Sequence, residues 1–229
     1  MQNFSELRKW LDKGISEDPL MLHGTSIEAV FELTINGKLP AGVISIDESS
    51  VYEHDEGRLF FAPVSSKFKG EKYKRLFKMN KDECIRDARC YAEQAAFTNF
   101  LASELGCKTA ETYTLLGYLE CGSIGWEELK RGLKKDGIEI SLKQMKSLYN
   151  KARKRKGVII EPTESILELP HGVDEDDNCA IFVECPEGLD KKYIHGIELL
   201  GTVENRLMDK FLNGKLNYKG FKTEKPLLY

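Results

Sequence analysis

Apolar residues recur at helical spacing near the start of the chain, where Phe4, Leu7, Trp10 and Leu11 predict a first helix over 3–13. PLMLHGT follows, read as a short apolar strand over 20–22 that runs into a polar, glycine-containing turn. From Ser26, the positions of Ile27, Val30, Phe31, Leu33 and Ile35 predict a second helix, with Ser26 as N-cap and Glu28 in the first turn. Asn36-Gly37 ends it, because glycine accepts the left-handed conformation of a helix C-cap. Leu39-Pro40 then reads as a loop and VISID (43–47) as a strand, followed by the acidic ESSVYEHDEG. RLFFAP (58–63) is a second clear strand, closed by proline. The basic stretch KFKGEKYKRLFK leads to the strongest helix, roughly 82–105. Its apolar face runs through Ile85, Ala88, Ala92, Ala95, Ala96, Phe100 and Leu101.

Over 109–155 the pattern predicts two or three further helices and no strand. From Gly157 it returns to strands: VIIEP, SILELP, CAIFVEC and YIHGIELLGTV, before LMDKFL and a polar tail. Strands at both ends with helices between them imply an α+β fold. We read a single domain over 1–229, with 105–156 as a helical insertion between two halves of a sheet.

Composition narrows the class. With 229 residues, 41% hydrophobic and 31% charged, the chain has an ordinary globular balance and no apolar run long enough to span a bilayer. MQNFSELRKWLDKG lacks the apolar core of a secretory signal, so the expected location is cytoplasmic, with delivery into another cell as an effector the alternative. A net charge of −3 gives no global field toward nucleic acid. The six cysteines (Cys84, Cys90, Cys107, Cys121, Cys179, Cys185) form no C-x-x-C pair, so reduced thiols are expected, with neither zinc nor a disulfide framework.

Two segments carry candidate chemistry. In LHGTS, a strand-end histidine beside glycine puts an imidazole and bare backbone at one place, able to bond a ribose hydroxyl and a carboxamide. About 35 residues on, GRLFFAPVSSK places adjacent aromatics on a strand. One ring then enters the core while the other is available to wall a pocket for a flat heterocycle. Ser65 and Ser66 add hydroxyls at the following turn.

As an ordered pair, these segments resemble the ADP-ribosyltransferase superfamily, in its diphtheria-toxin-like and PARP-like branch. There an H-G-[TS] strand is followed by a helix, a glycine-containing turn and a G-x-[YF]-F-A-x-x-x-S strand. The match covers roughly residues 20–68. The resemblance implies split mixed or antiparallel β-sheets and NAD⁺ as co-substrate. It implies that His23 holds the nicotinamide-side ribose, Gly24 the carboxamide, and Thr25 a further contact. Phe60 takes the place of the tyrosine that stacks on nicotinamide, with Phe61 and Ser66 beside it and Tyr91 as a further lining aromatic.

The C-terminal AIFVECPEGLDKKYIHGIEL looks like the family's closing strands, but the pattern departs at the catalytic glutamate, whose place falls near Cys179. Glu175 and Asp177 are the nearest acids, and Glu161 and Glu184 are the alternatives. Such a carboxylate stabilises the oxocarbenium-like transition state as nicotinamide departs. The basic run KARKRK (151–156) reads either as a helix C-terminus complementing the macrodipole or as a nucleic-acid or import patch; we favour the former. Neither a P-loop nor a Rossmann fingerprint occurs.

The implied activity is mono-ADP-ribosyl transfer from NAD⁺ to a macromolecular acceptor. A protein acceptor is favoured over nucleic acid, and no metal or membrane partner is involved. A pocket that binds NAD⁺ without catalysis is the non-enzyme alternative. An RNA 2′-phosphotransferase fits less well, since Leu22, not arginine, precedes His23.

Overall fold

In the computed structural model, residues 4–41, 57–105, 122–135, 137–174, 179–216 and 218 are described. The VISID segment, Cys107 and Cys121 fall outside them, as do Glu175 and Asp177. Among the described residues the fold is α+β, with six helices, a six-stranded antiparallel sheet and a two-stranded one.

Helix α1 (Ser5–Lys13) precedes β1 (Met21–Thr25) and α2 (Ile27–Asn36), then β2 (Lys38–Leu39), β3 (Arg58–Pro63) and the long α3 (Lys81–Leu105). Helices α4 (Trp126–Lys135) and α5 (Leu142–Ala152) follow. The C-terminal part holds β4 (Val158–Pro162), β5 (His171–Val173), β6 (Ile181–Glu184), β7 (Leu189–Asp190), β8 (Ile194–Leu199) and α6 (Thr202–Leu212). The large sheet runs β5-β6-β3-β1-β4-β8, and β2 pairs with β7.

The two faces of the sheet are covered differently. Met21, Leu59, Phe61, Ile160, Ile181 and Val183 point into the main core, where Leu7 and Trp10 of α1, Phe31 of α2, and Met208 and Phe211 of α6 meet them. Leu22, Ala62 and Ile159 point the other way, onto Cys84 and Ala88 of α3. This division is the period-2 alternation of strand side chains. A third core joins Leu101 of α3 to Leu129 and Leu133 of α4 and Met145 and Ala152 of α5.

Several expectations shift. β1 does not turn at its glycine but continues through His23, Gly24 and Thr25, because Ile160, Ile159 and Val158 of β4 pair with them. SILELP is no strand: Glu164–Glu168 winds into a 3₁₀ turn that buries Ile166 in the main core. The edge strand beside β6 is instead β5, at a segment whose residues carry no strand pattern of their own. The last predicted strand stops at Leu199, and Thr202 begins α6. At α2, Gly37 ends the helix at φ 76° with its N–H on Leu33. Ser26 occupies the N-cap position without capping through its side chain, since its Oγ accepts from Asn99 of α3 at 2.9 Å.

Candidate functional site

The geometry of interest lies where β1 changes partner. Its first half pairs with β3 (Met21 opposite Pro63, Leu22 opposite Ala62) and its second half with β4. Val64 donates its N–H to the Leu20 carbonyl, which sets the phase of the β1–β3 ladder. Leu20 and Leu22 turn their main-chain groups toward β3, and Met21 and His23 theirs toward β4. On the far side, Leu200 donates to the Gly157 carbonyl, which turns Ile160 toward β1 and agrees with that phase. Gly24, in step with Leu22, therefore directs its N–H and C=O toward β3, and Phe60, in step with Ala62, directs its own toward β1.

The next pair in that ladder is Gly24 and Phe60, but the register ends at Leu22 and Ala62. In its place, His23 Nδ1 donates to the Phe60 carbonyl at 2.7 Å. A carbonyl only accepts, so this bond puts the proton on Nδ1 and leaves Nε2 as an acceptor when the ring is neutral. The neutral ring is the favoured form. Burial pulls the His23 pKa below its ordinary value, and the bond to Phe60 only partly opposes that. The imidazole leans against Phe61, ring centroids 5.4 Å apart at 49°.

The aromatic pair behaves as the alternation predicts. Phe61 is 1% exposed in the main core, and Phe60 lies half-buried on the opposite face, in register with Phe182. Arg58 lies over the Phe182 ring at 4.1 Å and reaches Glu184 at 3.5 Å.

The reason for Gly24 differs from the one expected. A methyl group there would collide with the Ala88 carbonyl and lie 2.6 Å from the Ala92 nitrogen, so the missing side chain admits the backbone of α3. The face of Gly24 is thereby taken by the helix, and only its main-chain edge, toward β3, is turned to the gap. Thr25 is buried and in register with Val158.

Tyr91 is 44% exposed on α3. Arg89 pairs with Glu198 of β8 at 3.7 Å and Glu93 with Lys156 at 3.0 Å, so that flank of α3 faces β4 and β8. At 100° per residue, Tyr91 and Asp87 fall on the opposite flank, toward β3 and the gap. Ser66 is exposed in a 3₁₀ turn past the far end of β3, beyond the Met21–Pro63 pair, and is not brought to His23. Its neighbour Ser65 is the one engaged, bonding both the N–H and the carbonyl of Met79.

Of the candidate acids, Glu161 is 6% exposed and points to the α3 face, away from the His23 ring. Both its carboxylate oxygens are taken at 2.6 Å, by the N–H and the Oγ of Ser16. Gly196, opposite Glu161 on β8, lets the Gly14 main chain lie against the strand, which brings Ser16 within reach. Glu184 is held at the sheet's outer face by Arg58. Cys179 is half-buried and packs on the core of Leu22, Ala62 and Cys84.

The run 151–156 carries a structural pair that sequence reasoning missed. Arg155 is 5% exposed and bonds Glu204 and Glu28, each at 2.9 Å, so α5, α6 and α2 meet at one buried guanidinium. The nearby carboxylates favour its charged form, against the cost of burial. No local signal marks this residue among its cationic neighbours, because the partners lie 49 and 127 positions away.

Compared with protein-family models, curated proteins and solved structures, the chain matches none.

Proposed function

We propose that the chain binds NAD⁺ at the parting of β1 and β3 and transfers its ADP-ribose to a macromolecular acceptor, in the manner of the mono-ADP-ribosyltransferases its sequence resembles. The observation that carries this reading is the interrupted Gly24–Phe60 pair. A primary carboxamide needs one acceptor and one donor side by side, which is what the main chain of a single strand residue presents. Gly24 turns both toward the gap, and the half-buried ring of Phe60 borders it. Nε2 of neutral His23 accepts from a ribose hydroxyl. Split antiparallel sheets of this family's type, with α4 and α5 inserted, are the corresponding fold reading.

In the reaction the bond between ribose C1′ and the nicotinamide nitrogen breaks, and nicotinamide leaves with the electron pair. The acceptor nucleophile bonds C1′ and gives up its proton. Holding both partners in line supplies much of the barrier reduction. A carboxylate near C1′ supplies charge stabilisation, and Glu175 and Asp177 are the residues we assign to that role.

One observation favours the second reading, a pocket that binds NAD⁺ without chemistry. Glu161 and Glu184, the candidate acids among the described residues, are committed to Ser16 and Arg58 rather than to His23. Incubation with NAD⁺, following nicotinamide release and protein mass, separates the two. Release that is lost in His23→Ala and in Glu175→Gln/Asp177→Asn supports transfer. Binding without release supports the pocket alone. Absence of both removes the NAD⁺ reading.

A further inference from the structure

A second surface lies at the other end of β3. Residues 65–79 form a loop whose neck is closed by Ser65. Its N–H donates to the Met79 carbonyl at 3.0 Å, and its Oγ accepts from the Met79 N–H at 2.7 Å. A compact loop with its ends together and its own side chains packed inside is an Ω-loop. Phe68 and Leu76 anchor it in the main core and Met79 in the core beneath α3, each 7–8% exposed. Tyr73 packs on Phe68 with ring centroids 5.1 Å apart, and its hydroxyl donates to His171 Nε2 of the edge strand β5 at 2.8 Å. His171 in turn donates from Nδ1 to the Leu169 carbonyl at 2.7 Å, which in the neutral ring leaves Nε2 to accept from Tyr73.

What this framework displays is charge. Over 67–81 the chain carries Lys67, Lys69, Lys72, Lys74, Arg75, Lys78 and Lys81 against the single acid Glu71, a local charge of +6 in a molecule of net charge −3. Lys67 is tied to Asp18, Lys74 to Glu71, and Lys81 to the Glu17 carbonyl. Lys69, Lys72, Arg75 and Lys78 are exposed and form no ion pair among the described residues. Among them stands Phe77, 60% exposed, in a loop that buries its other large apolar residues. Cations held outward around a bare ring bind phosphates and stack a base, a combination that a single-stranded nucleic acid completes. A duplex hides its base faces, and one ring on a convex loop fits neither groove as a helix or ribbon does.

We infer that the loop 65–79 binds single-stranded nucleic acid, with Lys69, Lys72, Arg75 and Lys78 on phosphates and Phe77 against a base. Fluorescence anisotropy with labelled single-stranded RNA and DNA, the matching duplexes, and phosphatidylserine vesicles as competitor tests this directly. The full chain binds the single strands with an affinity that falls with salt at a slope of about −3, as about four phosphate contacts require. Phe77→Ala weakens single-strand binding by about 5- to 100-fold and leaves duplex binding unchanged. The combined Lys69→Glu, Lys72→Glu, Arg75→Glu and Lys78→Glu protein loses binding while melting as the parent does. Single-strand binding that survives both sets of substitutions overturns the assignment. So does absence of binding, or capture by the vesicles without oligonucleotide binding. The assay contains no NAD⁺, so its outcome is separate from the transferase reading.

Discussion

The imidazole of His23 donates to the Phe60 carbonyl at 2.7 Å, where an unbroken ladder would have Gly24 donate instead. Under the proposed function the two nitrogens of this ring have separate tasks, Nδ1 holding the Phe60 carbonyl and Nε2 accepting from the ribose. Asparagine reproduces the Nδ1 donor and lacks the Nε2 acceptor. His23→Asn is therefore expected to keep the parent's melting temperature within a few degrees and lose NAD⁺ binding by about tenfold, as loss of one hydrogen bond implies. His23→Ala is expected to lose both. Calorimetric titration beside thermal melts checks the pair, and equal destabilisation by the two substitutions would contradict the division of roles.

Acid should weaken the fold through the same residue. His23 is held neutral, with its pKa lowered chiefly by burial, while in the unfolded chain it titrates near about 6.5. Below that value the unfolded chain binds the proton and the folded one resists it. The His23 contribution is therefore intact above about pH 6.5 and is lost as pH falls through it, by at most about 1.4 kcal/mol per unit. Urea midpoints for parent and His23→Asn, close at neutral pH, should part with acidification, because the parent's falls through this titration and the variant's does not. A constant difference would show that His23 does not titrate there.

Gly24→Ala is expected to destabilise strongly because the new methyl meets backbone of α3, which cannot rotate away as a side chain does. Overpacking of this kind costs about 1–3 kcal/mol or more. Urea denaturation measures it. A neutral substitution would mean that α3 shifts freely on β1.

Thiol chemistry should separate by burial. Burial raises Cys84 to about 12 and Cys185 to about 11, so both stay protonated at neutral pH. Cys90 is exposed on α3. Iodoacetamide on the folded protein should modify Cys90 and spare Cys84 and Cys185 until denaturant is added, as read by peptide mass spectrometry.

Arg155 is the residue of the basic run whose loss the fold should feel. Arg155→Met strands two carboxylates, one of them fully buried on Glu204, and is expected to cost about 3–5 kcal/mol. Adding Glu204→Leu and Glu28→Gln should recover much of it. Lys151→Met and Lys154→Met, both at exposed positions, should change stability by less than about 0.5 kcal/mol. Chemical denaturation compares them.

Elements whose pattern is local were already legible in the order of residues. Pro63 ended β3 where the partner Met21 turns its main chain toward β4, so the missing N–H forfeits no bond on that side. Alternation placed Phe60 and Phe61 on opposite faces, Gly37 stopped α2, and the alanine stripe of Ala88, Ala92 and Ala96 laid α3 on the sheet. The candidate His23, Gly24 and Phe60 were legible for the same reason, as neighbours on two short strands. Tertiary structure alone decided the rest. It carried β1 past its glycine by pairing with β4 and turned SILELP into a 3₁₀ turn that seats Ile166. It gave Glu161 to Ser16 and singled out Arg155 from a run of like charges. Each of these depends on residues far apart in the chain, and apolar periodicity reports only which face a residue turns inward, not what it finds there.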